Sequence, residues 1–222
     1  YLPVLLGEVC WRKRAVDVVL VLDLSSSMLG EDRSGRSKLS AAKEAALSLV
    51  GQLRLGGGEP GSDRLAVVAF NADAWIEQGL SEDRQLVEAA IRGLDARVSQ
   101  GTRLDLALEQ GRLALEAGAT GGGREGIVVL LTDGMPSQVP TPSPAGSSED
   151  TILRAASALR TGDRRLFTVG LGQADAVEER ERIHRALLIA IAGLEDRYFE
   201  TPHADELVAI YEQIAAAIGC RQ

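Results

Sequence analysis

The sequence predicts a doubly wound α/β fold: a mostly parallel central sheet with one antiparallel edge strand and helices on both faces. Three observations lead there. Continuous runs of β-branched and aliphatic residues recur along the chain, stretches with helical periodicity separate them, and one gap between two runs is too short to hold a helix. Continuous rather than alternating apolar runs are what strands covered on both faces require. Strands alternating with helices give right-handed βαβ units.

Taken in order, the first strand covers 17–23, within "VDVVLVLD". The next segment, 37–54, is helical, with Leu39, Ala42, Ala46, Leu49, Val50 and Leu53 on one face at spacings of three and four. "RLAVVAF" (64–70) is the second strand, and "AWIEQ" (74–78) follows after only "NAD". No crossover helix fits in so short a gap, so this pair is a hairpin and its second strand an antiparallel edge. Further strands are expected at "GIVVLLTD" (126–133), "RLFTVGLG" (165–172) and "DRYFE" (196–200), and helices near 82–95, 103–117, 149–161, 177–193 and 204–218. The Gly-rich segments 54–64 and 118–126 lead from helix ends to strand starts and read as connectors. The Pro- and Ser-rich segment 134–150 follows a strand and reads as a long exposed loop without regular structure. No repeat or shift of composition divides the chain. One domain is therefore expected over 15–219, with 1–14 an N-terminal extension and 220–222 a tail.

Composition excludes some partners. The 222 residues carry a formal net charge of −8 and no basic stripe with interleaved aromatics, which opposes binding to nucleic acid or anionic lipid. No apolar run approaches the roughly 18 residues needed to span a bilayer. Direct membrane insertion is not expected. The opening "YLPVLLGEVCW" has no basic start and too short an apolar stretch to be a secretion signal.

The first strand runs on into "VLDLSSSM" (21–28), so a core-forming run ends on a carboxylate and three hydroxyls. In open α/β sheets ligands bind outside the carboxyl ends of the strands. This fold places Asp23, Ser25 and Ser27 there, with Thr102 just before the helix near 103 and Asp133 after the strand 126–132. Asp23, Ser25 and Ser27 occupy alternate positions, so a looped backbone can turn all three toward one point. Two carboxylates and three hydroxyls are hard oxygen donors, suited to Mg²⁺, Mn²⁺ or Ca²⁺ rather than zinc or copper. The bland alternative is a Ser-rich turn with capping aspartates. Asp105 reads as a solvent-facing helix residue, His184 and His203 as structural or surface residues, and Trp11 and Trp75 as packing at the domain margin. "GEDRSGRS" (30–37) imitates a phosphate-binding loop except for Arg36, but Glu31 and Asp32 stand where phosphates must sit. No G-x-S-x-G nucleophile elbow is present. A metal-dependent hydrolase or phosphoryl-transfer enzyme remains the alternative class, as does a subunit whose metal site serves assembly of a larger complex.

With "DLSSS" in the form Asp-x-Ser-x-Ser, "GT" at 101–102 and "TDG" at 132–134, the sequence resembles a von Willebrand factor type A domain over about 15–218. The three segments look like that family's metal-ion-dependent adhesion site. The resemblance implies a Rossmann-like sheet and direct coordination of a metal by Ser25 and Ser27. It implies that Asp23 and Asp133 bind directly or through water, and that Thr102 joins or leaves the ligand set as the conformation changes. It implies a non-enzymatic adhesion module, in which a Glu or Asp of another protein, or of a surface or matrix component, completes the coordination. The strands of such a sheet run one way and its helices return, which brings Cys10 and Cys220 to one face, bridgeable if their Cα atoms come within about 7 Å. Similar terminal bridges occur in some extracellular members. A bridge places the domain outside the cell or on its surface, and two free thiols would place it in the cytoplasm.

Overall fold

Every residue of the strand Val16–Asp23 is buried. Val16, Val18, Leu20 and Leu22 enter one core cluster, while Val19 and Val21 enter another on the opposite face. A strand with apolar side chains on both faces is satisfied only inside a sheet covered on both sides. That is its position in the computed structural model, which describes residues 15–31, 35–56, 61–118, 123–136, 148–172 and 183–219.

The elements are β1 (Val16–Asp23), α1 (Lys38–Gln52), β2 (Arg64–Phe70), β3 (Ala74–Ser81), α2 (Arg84–Arg92), α3 (Leu104–Ala117), β4 (Glu125–Thr132), α4 (Ser148–Leu159), β5 (Arg164–Leu171), α5 (Arg185–Ala192), β6 (Tyr198–Thr201) and α6 (Leu207–Gly219). They form a six-stranded sheet in the order β3-β2-β1-β4-β5-β6. All pairs are parallel except β2–β3. One core cluster joins the sheet to α1, α2 and α6, the other to α3, α4 and α5. The fold is the doubly wound α/β sheet read from the sequence. Its winding reverses between β1 and β4, the place at the strands' carboxyl ends where sheets of this kind bind ligands.

The opposite end of the sheet is tied by charge. Arg64 donates Nε and Nη2 to the two oxygens of Asp17, at 2.8 and 2.7 Å. Asp63 accepts from the amide of Val16 at 3.1 Å and from that of Arg54 at 2.9 Å, so the connector before β2 also closes the start of β1. Arg165 donates Nη1 to the carbonyl of Ala217 at 2.9 Å, which brings the end of α6 to the start of β5.

Several boundaries differ from expectation. The helix expected over 82–95 ends at Arg92 and continues as a 3-10 turn, Gly93–Arg97. The edge strand runs to Ser81 rather than 78. Of the helix expected over 177–193, the described residues are helical only from Arg185, because the imidazole of His184 caps the helix by accepting from the amide of Leu187. The expected 134–150 loop ends early, since α4 begins at Ser148. Residues 137–147 lie outside the described residues, as do Cys10, Trp11, Asp32 and Cys220.

Candidate metal centre

At the end of β1 the chain leaves the sheet under tight backbone control. The amide of Leu24 donates to the carbonyl of Phe70 at 2.7 Å, and the carbonyl of Leu24 accepts from the amide of Ser99 at 3.1 Å. A single 3-10 turn, Ser26–Leu29, follows, and Met28 anchors it in the core. These restraints fix the directions of Asp23, Ser25 and Ser27.

Asp23 is wholly buried. Its Oδ1 accepts from the amide of Ser25 at 2.7 Å and its Oδ2 from the hydroxyl of Thr132 at 2.6 Å. Ser25 stands at the N-cap of the 3-10 turn, yet its side chain makes no capping hydrogen bond. Its Oγ lies 2.9 Å from that of Ser27 and donates to Oδ1 of Asp133 at 3.5 Å, while Ser27 donates to the same oxygen at 2.7 Å. Asp23 accepts a turn amide as the capping alternative expects of an aspartate, while the serine hydroxyls point at each other and at the carboxylate that follows β4. Ser26, between them, is exposed.

Thr102 is buried beside this group. The turn that delivers it needs glycine at 101, where φ is 103° and a Cβ would fall 2.8 Å from Cα of Ala72. The amide of Arg103 donates to the carbonyl of Asn71 at 2.8 Å, which pins the same turn. Gly134 completes the cradle. A Cβ there would stand 3.5 Å from Oγ1 of Thr102 and 4.0 Å from Oγ of Ser27, so its missing side chain keeps the space between those hydroxyls open. The structure thus gathers all five predicted residues at one point.

Two carboxylates without solvent repel each other's ionised forms. The Asp23 carboxyl is pushed up to about 7, mainly by burial and then by the charge of Asp133, against the hydrogen bonds from Thr132 and Ser25. Asp133 is also wholly buried, and its Oδ2 lies 3.0 Å from Nζ of Lys38. The donors are carboxylate and hydroxyl oxygens throughout, a set that fits a hard divalent cation. Among the described residues no group of three or more His, Cys, Asp or Glu is arranged to hold a metal.

Two neighbours of this cluster escape a reading by sequence. Thr132 looks like an ordinary strand residue, and its role appears only across the sheet. Lys38 carries a faint signal: it opens a helix, where the backbone dipole disfavours a cation. Asp105 departs from expectation. It is 8% exposed rather than solvent-facing, because Arg103 grips both its oxygens at 2.8 Å. Glu31 is exposed, and its backbone bridges to Ser37. Half-buried Trp75 packs against the core with Arg97 stacked 3.6 Å above its ring centre.

The sequence pattern of the von Willebrand factor type A domain matches residues 18–136. The chain belongs to that family. Solved structures agree with this type A domain in fold. Proximal thread matrix protein 1 of the mussel byssus has 22% identity and a TM-score of 0.72 over 92% of this chain and 46% of its own. The pilus adhesin SpaC of Lactobacillus rhamnosus GG has 19% identity and a TM-score of 0.72 over 92% of this chain and 30% of its own. The vWF domain of the type V pili tip protein Mfa5 of Porphyromonas gingivalis has 14% identity and a TM-score of 0.74, covering 95% of this chain and 98% of its own. This type A domain therefore spans less than half the length of the mussel protein and of SpaC. A further structure of the mussel protein, 23% identical, has a zinc-occupied adhesion-site motif. No curated protein sequence matches the chain.

Proposed function

We propose that Asp23, Ser25, Ser27, Thr102 and Asp133 form a complete metal-ion-dependent adhesion site for Mg²⁺, with Mn²⁺ or Ca²⁺ as substitutes. The domain is then a non-enzymatic module that binds another protein, or a surface or matrix component, through an acidic side chain of that partner. The observation that carries this reading is the convergence of the serine hydroxyls on Asp133: Ser27 donates to its Oδ1 at 2.7 Å, and Ser25 lies 2.9 Å from Ser27 and 3.5 Å from the same oxygen. A cation held by these oxygens supplies the point of attachment for the partner's carboxylate. Leu29 and Met135, 56% and 44% exposed, continue the same two loops and offer apolar contacts beside it. The pilus adhesin and byssal matrix protein of like fold support a binding role.

The same reading takes 15–219 as the module, with 1–14 and 220–222 as flanks, and places it outside the cell or on its surface. No described helix is long and apolar enough to cross a membrane. The reading includes a Cys10–Cys220 bridge, and its support is that Ala217, near the end of α6, lies against the start of β5, the sheet end at which β1 also begins.

Calorimetric titration of Mg²⁺ and Mn²⁺ into wild type and Asp23→Ala tests the site, with Zn²⁺ as a competitor given the mussel structure. Wild type should bind and the variant should not. Unchanged binding by Asp23→Ala refutes the assignment. A screen of phosphoester and peptide substrates tests the absence of catalysis, and turnover that vanishes in Asp133→Ala would favour a hydrolase.

A further inference from the structure

We propose that Lys38 is a built-in second cation of the metal site, sharing Asp133 with the divalent ion and, by charge repulsion, setting how tightly that ion is held. This rests on the metal reading above. A lysine at the first residue of a helix is electrostatically misplaced, since the exposed amides there already carry partial positive charge. No acidic residue in the first turn of α1 offsets it. What holds it is Asp133: Nζ lies 3.0 Å from Oδ2, with the lysine side chain 17% exposed and the carboxylate fully buried.

The two oxygens of Asp133 are divided between these neighbours. Oδ1 faces the hydroxyls of Ser25 and Ser27, and Oδ2 faces the ammonium. Lys38 therefore stays in place while the hydroxyl side of the site is used. Other cations nearby in the chain are engaged elsewhere: Arg36 on Glu44 at 2.7 Å, Lys43 on Asp95 at 2.5 Å, and Arg103 on Asp105 at 2.8 Å. Asp23 and Asp133 alone balance a divalent cation. With the ammonium added, the loaded site carries one surplus positive charge, and like charges in a buried site repel strongly.

The test is a Mn²⁺ titration of the full chain by calorimetry, comparing wild type, Lys38→Met, Lys38→Arg and Asp23→Ala. Lys38→Met keeps an unbranched stem without charge and should bind Mn²⁺ roughly tenfold tighter or more. Lys38→Arg keeps the charge and should match wild type within about twofold. A merely structural lysine gives the opposite sign, because a loosened site binds more weakly. Equal or weaker binding by folded Lys38→Met, while wild type binds and Asp23→Ala does not, overturns the role of Lys38 and leaves the metal site standing. No binding by wild type or either Lys38 variant brings down the metal reading itself. If Lys38→Met fails to fold, Lys38→Gln repeats the comparison and must show the same tightening.

Discussion

Asp23 holds its proton up to about 7 because burial and the charge of Asp133 both disfavour ionisation. A cation needs the ionised form, so below about 7 binding must expel that proton. Apparent Mn²⁺ affinity should fall roughly tenfold per pH unit below that point and level off above it. Calorimetry in buffers of different ionisation enthalpy reads the released proton directly, and a flat profile across the window contradicts the assignment. The stability linkage runs the other way. A raised pKa means that, with chelator present, the contribution of Asp23 to stability is full below the ordinary value of 3.8 and is lost as pH rises toward about 7. Asp23→Asn should therefore gain on wild type in chelator as pH rises through that range. Gly101→Ala should cost about 2 kcal/mol, seen as a Tm lower by roughly 4–8 °C, because no other residue takes its backbone angle beside Ala72 without strain. Asp23, Ser25 and Ser27 were legible because Asp-x-Ser-x-Ser puts three oxygens at alternate positions where a strand ends, and Thr102 and Asp133 because each stands beside an element end on the same face of the sheet. Lys38 and Thr132 were not, because their partners lie 95 and 109 residues away in sequence.

At the scale of elements, β1 is the beam on which the site stands. Leu20→Ala removes a fully buried side chain from its middle and should cost about 2–5 kcal/mol by denaturant titration, with loss of site geometry following only from unfolding. Arg64→Leu should cost about 3 kcal/mol or more, since it leaves the carboxylate of Asp17 buried without its main partner. That pair lies at the far end of the sheet, so Mn²⁺ affinity of the folded variant should stay at the wild-type value, and a loss would show the two ends to be coupled. Strands were legible as continuous apolar runs, and the β2–β3 hairpin from the short gap between them. Element ends were not. His184 caps α5 through its ring nitrogen, a role histidine does not advertise, and α2 runs on into a 3-10 turn at Gly93 with ordinary helical backbone angles.

For the whole molecule, the order β3-β2-β1-β4-β5-β6 sets Asp23, the last residue of β1, beside Asp133, the residue after β4, at the point where the winding reverses. Alternating strands and helices announce such a sheet, but strand order depends on pairings far apart in sequence, which no local pattern encodes. The winding also returns α6 to the end of the sheet where β1 begins. Thiol titration of unfolded, unreduced protein should find no free cysteine, and reduction should lower stability by up to about 4–5 kcal/mol. Two free thiols would remove the bridge and the argument for an oxidising compartment. The central claim is that one divalent cation sits among Asp23, Ser25, Ser27, Thr102 and Asp133. Anomalous diffraction from crystals grown with Mn²⁺ tests it most directly. The account predicts a single strong peak within coordination distance of the Ser25 and Ser27 hydroxyls, and a peak elsewhere, or none at saturating Mn²⁺, contradicts it.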